Sequence, residues 1–234
     1  MDAFWLDEPY APRAGIERAE RCSIVVVGGG IVGVSAAYFL AQRKCDVVLV
    51  EQGTLGCGAT GRSAGLLRTG VHLPYAVACE NHGPVAARTL WKLSLENHAL
   101  LRELLERETI ACQYERCGSL LVAEEERELA VLQRSVAAMC EDGFRAELRS
   151  EGAFFPDDGV FHPVRFVRAL GKAAEREGAR LYEGTPVTSI TGSTAISARG
   201  RVEAEMVLYG GGLAACTVCG TSARWTLDHA TPLS

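Results

Sequence analysis

A glycine-rich turn between an apolar run and a helical pattern has the spacing that binds the diphosphate of a dinucleotide. The run Ser23–Val27 precedes a G-x-G-x-x-G pattern, whose glycines are Gly28, Gly30 and Gly33. The first glycine permits the tight turn, the second lets backbone approach a pyrophosphate, and the third allows close packing of helix on strand. Ile31 and Val32 lie at the start of the helix, where free N–H groups and the positive end of the helix dipole face the phosphates.

A carboxylate lies where such a site recognises ribose. The apolar run Val47–Val50 ends at Glu51, 23 positions after Gly28. A carboxylate there accepts hydrogen bonds from ribose hydroxyls and repels a 2′-phosphate, which disfavours NADP relative to NAD or FAD. Strand, turn, helix and acid together predict a dinucleotide site, and the alternative is an ordinary βαβ unit with a glycine-rich turn.

The elements around this turn follow from periodicity and turn residues. We expect an irregular arm over residues 1–21, pinned by Trp5 and Tyr10, and a glycine-rich loop over 52–74. Helices are predicted over 34–43, 85–108 and 124–141, and from Pro163 to before Gly178. Strands are predicted over 118–123, 180–183, 186–191, 194–198 and 205–209, with a turn over 152–159 and a hairpin turn at residues 199–200.

Composition and charge exclude several partner classes. The chain has 234 residues, a net charge of −5 and no basic block, which disfavours nucleic acid and anionic membranes. No apolar run approaches the roughly 20 residues of a membrane-spanning helix. The N-terminal residues resemble neither a secretory signal nor a transit peptide, so a cytoplasmic location is expected.

The cysteines and histidines indicate no metal site. Cys22, Cys45, Cys79 and Cys140 are expected to be buried thiols, and the C-x-x-C at residues 216–219 has no second ligand pair nearby. The five histidines lack metal-ligand spacing.

Three segments carry a likeness to a known family. They are Gly58-Ala59-Thr60-Gly61-Arg62-Ser63-Ala64-Gly65-Leu66-Leu67, Gly118–Val122 and Thr185–Ile190. With the βαβ unit, they resemble the FAD-dependent oxidoreductases of the D-amino-acid oxidase superfamily, which includes glycine oxidase and sarcosine oxidase. The likeness covers about residues 3–215. It implies an α/β chain with a Rossmann-like FAD-binding domain of the GR2 type and part of an antiparallel α+β substrate domain.

The resemblance also implies a domain division and site roles. It divides the chain into an arm (1–21), the FAD-binding domain (22–84 and 151–215), a partial substrate domain (85–150) and a divergent tail (216–234). Glu51 would hold the adenosine ribose with Gln52 beside it, and Val187 would present backbone groups to adenine. Gly211, within the run 210–212, would lie against the cofactor.

The resemblance also implies a loop that runs past the pyrophosphate and the flavin ring. This loop comprises Ala59, Thr60, Arg62, Ser63, Ala64, Gly65 and Leu66, with Arg62 and Ser63 offering polar contacts. Arg62 stands near the position of a flavin-linking histidine in some relatives, and the alternative role for Arg62 is a surface ion pair. His72 follows this loop, near the ring or merely structural.

The implied function is oxidation of a C–N bond in a small-molecule amine or amino acid, by hydride transfer to flavin. Family members continue beyond residue 234, so the resemblance suggests a truncated member whose substrate sheet is exposed. A partner subunit would cover that sheet. The alternatives are an inactive FAD-binding partner or remnant of an intact enzyme, and an NAD-dependent enzyme. The glycine-rich loop after Glu51 disfavours the latter. No residue is assigned a catalytic role.

Overall fold

The computed structural model describes residues 4–210, which fall into two compact units. Within that range, the first unit comprises residues 6–61 and 170–210, and the second comprises residues 4–5 and 62–169. In chain order, the helices are α1 (Ile31–Gln42), α2 (Tyr75–His82), α3 (Pro84–Arg107), α4 (Glu126–Glu141) and α5 (Pro163–Arg176). The strands are β1 (Glu20–Val27), β2 (Val47–Val50), β3 (Leu66–Leu67), β4 (Ser119–Val122), β5 (Glu147–Arg149), β6 (Gly152–Phe155), β7 (Gly159–Val160), β8 (Arg180–Tyr182), β9 (Val187–Thr191), β10 (Thr194–Ser197) and β11 (Gly200–Tyr209). Short 3₁₀ helices cover Phe4–Leu6 and Thr60–Arg62.

The first unit is built on a six-stranded sheet with the order β8-β2-β1-β11-β10-β9. Strand β1 pairs in parallel with both β2 and β11, and Val27 lies opposite Val50 on one side and Tyr209 on the other. All four residues of β2 are buried, as expected for a parallel strand covered on both faces. The carboxyl ends of three neighbouring strands therefore meet at one edge of the sheet, where parallel sheets bind ligands.

Helix α1 packs closely on the first strand because its third residue has no side chain. A Cβ on Gly33 would lie 1.9 Å from the carbonyl oxygen of Gly28, and Gly28 itself has φ of 110°. Side chains are excluded at Gly33, and the backbone at Gly28 is one that glycine adopts readily. The turn glycines thus have the structural roles that the sequence motif predicts.

The second unit combines helices with an antiparallel sheet of order β4-β6-β5. Tyr75 of α2, Trp91 of α3 and Met139 of α4 pack in one buried cluster. Strand β4 pairs with β6 on one side and forms an edge of this three-stranded sheet. A separate two-stranded ribbon pairs β3 with β7.

Most predicted elements are confirmed, with several corrections. Helices α1, α3, α4 and α5 and strands β4, β8, β9 and β10 lie where the patterns place them, and the hairpin closes with Ser197 opposite Gly200. The predicted turn over 152–159 is wrong, because it contains β6 and β7. Helix α2 was not predicted, and β11 begins at Gly200 rather than at 205. The arm ends where β1 begins at Glu20.

The thiol prediction is confirmed only for Cys22. Cys45 and Cys79 are half-buried, and Cys140 is exposed because it lies on the outer face of the amphipathic α4. The C-x-x-C at residues 216–219 lies outside the described residues. Among residues 4–210, no group of histidine, cysteine and acidic side chains is arranged to hold a metal ion. In the same range, no helix has the length and apolarity to cross a membrane.

Candidate dinucleotide-binding site

A cavity of about 350 Å³ lies at the carboxyl ends of the parallel strands of the first unit. This volume falls within the roughly 300–1,000 Å³ of small-molecule and cofactor sites. Residues from five separate stretches of sequence line it: Val27, Gly28, Gly30, Ile31, Val32, Val50, Glu51, Gln52, Gly58, Ala59, Thr60, Thr185, Val187, Tyr209 and Gly210. The parallel pairing of β1 with β2 and β11 brings three of these stretches together, and hydrogen bonds of Thr60 with Ile31 and of Thr185 with Glu51 attach the other two.

Glu51 is a buried carboxylate held in place by backbone amides. Its Oε2 accepts a hydrogen bond from the N–H of Gly29 at 2.6 Å, and its Oε1 accepts one from Gly53 at 2.8 Å. The thiol of Cys57 lies 3.6 Å from the same Oε1. A carboxylate offers about four acceptor sites. The three donors thus leave capacity for one further donor, such as a hydroxyl reaching in from the cavity.

The N-terminus of α1 faces this cavity, and the hydroxyl of Thr60 accepts a hydrogen bond from it. The backbone N–H of Ile31 donates to Oγ1 of Thr60 at 3.0 Å. Thr60 is buried at the start of the 3₁₀ helix Thr60–Arg62. The first turn of a helix carries unpaired N–H donors and a partial positive charge, which suit an anion such as a diphosphate. The 3₁₀ turn therefore packs against the part of the site that suits phosphate.

A second buried acid, Glu183, orders the loop behind Glu51. Its carboxylate accepts hydrogen bonds from the N–H of Leu55 at 2.5 Å, from the N–H of Arg13 at 2.7 Å and from the hydroxyl of Tyr10 at 2.8 and 2.9 Å. The predicted anchoring of the arm by Tyr10 is confirmed. The N–H of Thr185 donates to the carbonyl of Glu51 at 2.8 Å. The loop 51–55 is therefore tied to the segment that leads into β9.

Nine of the sequence-predicted site residues line this cavity: Gly28, Gly30, Ile31, Val32, Glu51, Gln52, Ala59, Thr60 and Val187. Gly33 lies in the first turn of α1 and contacts Gly28. Gly211 lies outside the described residues. The structure adds Val27, Val50, Gly58, Thr185 and Tyr209, and the predicted run 210–212 reaches the cavity through Gly210. The missing signal for Tyr209 was the parallel pairing of β11 with β1, which places the end of β11 beside the glycine turn.

The other predicted residues belong to the second unit and do not line this cavity: Arg62, Ser63, Ala64, Gly65 and Leu66. The carbonyl of Ser63 accepts a hydrogen bond from the Trp5 indole at 2.7 Å, which confirms that Trp5 anchors the arm. The carbonyl of Gly65 accepts from the N–H of Phe161, and Leu66 pairs with Val160. His72 lines a different pocket of this unit, beside α4.

Comparisons with known proteins agree with one another. Residues 23–224 match the family described as DAO, FAD dependent oxidoreductase. The chain is 31% identical over 220 residues to gamma-glutamylputrescine oxidoreductase of Escherichia coli (strain K12), covering 86% of this chain and 51% of that protein. It is 29% identical over 213 residues to glycine oxidase of Geobacillus kaustophilus, covering 82% and 55%. The chain thus spans about half the length of the curated relatives it matches.

Solved structures share the fold. The crystal structure of glycine oxidase from Geobacillus kaustophilus superposes with a TM-score of 0.67 at 26% identity, covering 85% of this chain and 57% of that one. The L-amino acid deaminase from Proteus vulgaris gives a TM-score of 0.70 at 20% identity, covering 86% and 50%, which shows a shared fold.

The residues of the cavity fit the ADP half of FAD. The helix N-terminus suits a diphosphate, and the buried acid at the end of β2 suits ribose hydroxyls. The cavity lies at the carboxyl edge of the sheet, where dinucleotides bind in this architecture. These features and the match over residues 23–224 lead to one assignment. The chain belongs to the DAO family of FAD-dependent oxidoreductases, whose cofactor is FAD.

Proposed function

We propose that this chain binds FAD in the cavity of its first unit and serves the oxidation of a C–N bond in a small-molecule amine or amino acid. The observation that carries the proposal is the cavity itself, where Glu51 and the N-terminus of α1 face one space. The names of relatives support the reaction class, since they include glycine oxidase and 4-methylaminobutanoate oxidase. The substrate of this chain is proposed only at the level of that class.

Each part of the cavity has a proposed task in holding the cofactor. The N–H groups at the start of α1 bind the diphosphate, and Glu51 accepts a hydrogen bond from a ribose hydroxyl. Gln52 lies beside the ribose, and backbone groups of Val187 bind the adenine. From the family resemblance, Arg62–Leu66 and Gly211 are proposed to approach the rest of the cofactor. When bound, FAD supplies the acceptor for a hydride removed from the carbon that carries nitrogen.

A second candidate is an FAD-binding chain that acts through a partner rather than by catalysis of its own. One relative favours it: the chain is 28% identical over 188 residues to the mouse pyruvate dehydrogenase phosphatase regulatory subunit, covering 73% of this chain and 20% of that protein. The edge strand β4 also presents Leu120 and Val122, which are 40% and 55% exposed. An exposed apolar edge is a surface that a partner subunit can cover. The cytoplasmic location stays a prediction.

The first experiment asks which cofactor the purified chain carries. We expect a yellow protein that releases FAD on acid precipitation. Glu51→Gln is expected to lower FAD affinity by about tenfold or more, because its amide nitrogen cannot accept a ribose hydrogen bond and would also face the N–H of Gly29 or Gly53. The melting temperature of the apo variant reports whether the glycine turn is still folded. Glu205→Gln is the matched control, since Glu205 is exposed on β11 and does not line the cavity. A colourless chain that added FAD does not reconstitute would contradict the proposal.

An anaerobic titration then separates the two candidates. The FAD-loaded chain is mixed with a panel of amino acids and secondary amines, and flavin absorbance near 450 nm is followed. Loss of that absorbance with one substrate class supports the oxidoreductase. If dithionite reduces the flavin but no member of the panel does, the result supports the second candidate.

A further inference from the structure

Tyr209 is an aromatic residue at the dinucleotide cavity to which the glycine motif assigns no role. It is the last residue of β11, lines the cavity and is 37% exposed. Its strand partner is Val27, the residue immediately before the glycine turn. A partly exposed aromatic ring beside a ligand cavity offers apolar surface that a bound ligand can bury.

The direction of the Tyr209 side chain follows from its neighbours on β11. The next residue, Gly210, faces α1, because a Cβ built there would lie 2.9 Å from the Cα of Gly33. Successive side chains of a strand point to opposite faces. Tyr209 therefore points away from α1, to the face where Val207 packs with Val27 and Val187 in one apolar cluster.

That face is where the base of a bound dinucleotide would lie. The phosphates are set by the N-terminus of α1, and the ribose is set by Glu51 at the end of β2. The base must continue beyond the ribose, away from the helix. The cavity wall in that direction is formed by Thr185 and Val187, together with the ring of Tyr209.

We propose that the Tyr209 ring stacks on the adenine of the bound cofactor and sets affinity for the ADP half. The inference rests on the proposed binding of FAD. Stacking needs a flat aromatic face and little from the hydroxyl, because the contact is between π faces. By analogy with base–aromatic stacking in other proteins, removal of the ring weakens binding by about tenfold. The rival arrangement is a Tyr209 ring that fills the base position and excludes the cofactor.

The test measures dissociation constants of FAD and of ADP for the apo chain and three variants by equilibrium ultrafiltration. Tyr209→Phe keeps the ring and is expected to bind both ligands within about twofold of the unchanged chain. Tyr209→Leu and Tyr209→Ala are expected to weaken both by about tenfold, and equally, because both ligands carry adenine. Ribose 5-phosphate lacks the base, so its binding is expected to be the same in all four proteins. Melting temperatures of the apo proteins report whether each variant is folded.

The outcomes separate this inference from the proposed function. If Tyr209→Ala binds FAD and ADP as well as the unchanged chain, or more tightly, stacking is refuted. Tighter binding would show instead that the ring blocks the site. If the unchanged chain binds ADP but not FAD, and the ring-deleted variants lose ADP, the stacking inference stands and the FAD proposal fails. If no protein in the set binds either ligand, both fail.

Discussion

Replacement of the fully buried Glu183 by glutamine tests whether this carboxylate holds the first unit together. Its side chain has no solvent exposure, and both oxygens are occupied. Oε1 accepts from the N–H of Leu55, and Oε2 accepts from the N–H of Arg13. Backbone N–H groups only donate. Whichever way the glutamine amide is turned, its NH₂ group faces one of these donors at the 2.5 or 2.7 Å now spanned by a hydrogen bond.

The magnitude follows from the groups left without partners. One buried N–H loses its acceptor, which costs about 1–3 kcal/mol. The Arg13 guanidinium, 3.4 Å from Oε2, also loses the charge of Glu183. Arg13 keeps its closer pair with Glu175 at 2.7 Å, so its charge is not left unpaired and this second loss is small. We therefore expect Glu183→Gln to lower the free energy of unfolding by about 2–3 kcal/mol, most of it from the buried N–H that loses its acceptor.

Urea unfolding followed by far-ultraviolet circular dichroism measures this change. With a slope of about 2 kcal/mol per molar urea, the unfolding midpoint should fall by about 1–1.5 M. Glu175→Gln is the matched control, because Glu175 pairs with the same Arg13 but its side chain is 37% exposed. That control should cost about 1 kcal/mol or less. Hydrogen exchange should locate the loss at the amides of Leu55 and Arg13, which donate to this carboxylate. A midpoint for Glu183→Gln equal to that of the control would refute the reasoning.

Two further predictions concern the glycine turn and an acid-sensitive ion pair. Gly33→Ala should lower stability by about 1–3 kcal/mol in urea unfolding and weaken FAD binding, because the new Cβ would lie 1.9 Å from the Gly28 carbonyl oxygen. Gly58→Ala, where no atom lies within 4 Å of the Cβ position and φ is not positive, controls for the added methyl group in the stability measurement. Hydrogen bonds from Arg88, and to a lesser extent from Tyr75, lower the pKa of the Asp142 carboxyl in the folded protein. The ionised carboxylate therefore stabilises the fold fully at any pH above the ordinary aspartate pKa near 3.9. That stabilisation is lost as the pH falls through the lower pKa of the folded state. The difference in urea midpoint between the unchanged chain and Asp142→Asn should therefore be constant from about pH 7 to 5 and shrink below about pH 4. A difference that grows as the pH falls would contradict the lowered pKa of Asp142.

The elements of the first unit can be predicted from the sequence where the local residue pattern agrees with the strand pairing. The run 23–33 carries its own strand, turn and helix signals, and α1 begins within the motif at Ile31. The segment 152–160 was not predictable in the same way. Phe154 and Phe155 are flanked by turn residues, so the sequence suggests a turn, but β6 gains pairing from β4 and β5 on both sides. Tertiary pairing there outweighs local propensity.

The residues of the site also fall into those that a local motif predicts and those that depend on long-range pairing. Glu51 and the turn glycines are set by spacing within one βαβ unit, so the sequence alone predicts them. Tyr209 enters the cavity only because β11 pairs in parallel with β1, across a sequence separation that no local motif spans. Thr185 enters because its N–H bonds the carbonyl of Glu51. Residues of this second kind lie outside the shared fingerprint.

This division bears on where variation in cofactor affinity arises among chains that share the motif. The glycines and Glu51 are fixed by backbone geometry and ribose chemistry, so little can change there without loss of the site. The wall formed by Thr185, Val187 and Tyr209 is built from strand ends that meet through sheet pairing. The side chain at a strand end is free to vary while the backbone pairing stays the same. We therefore infer that the fingerprint identifies the class of ligand, and that the strand ends opposite it adjust how tightly the adenine half is held.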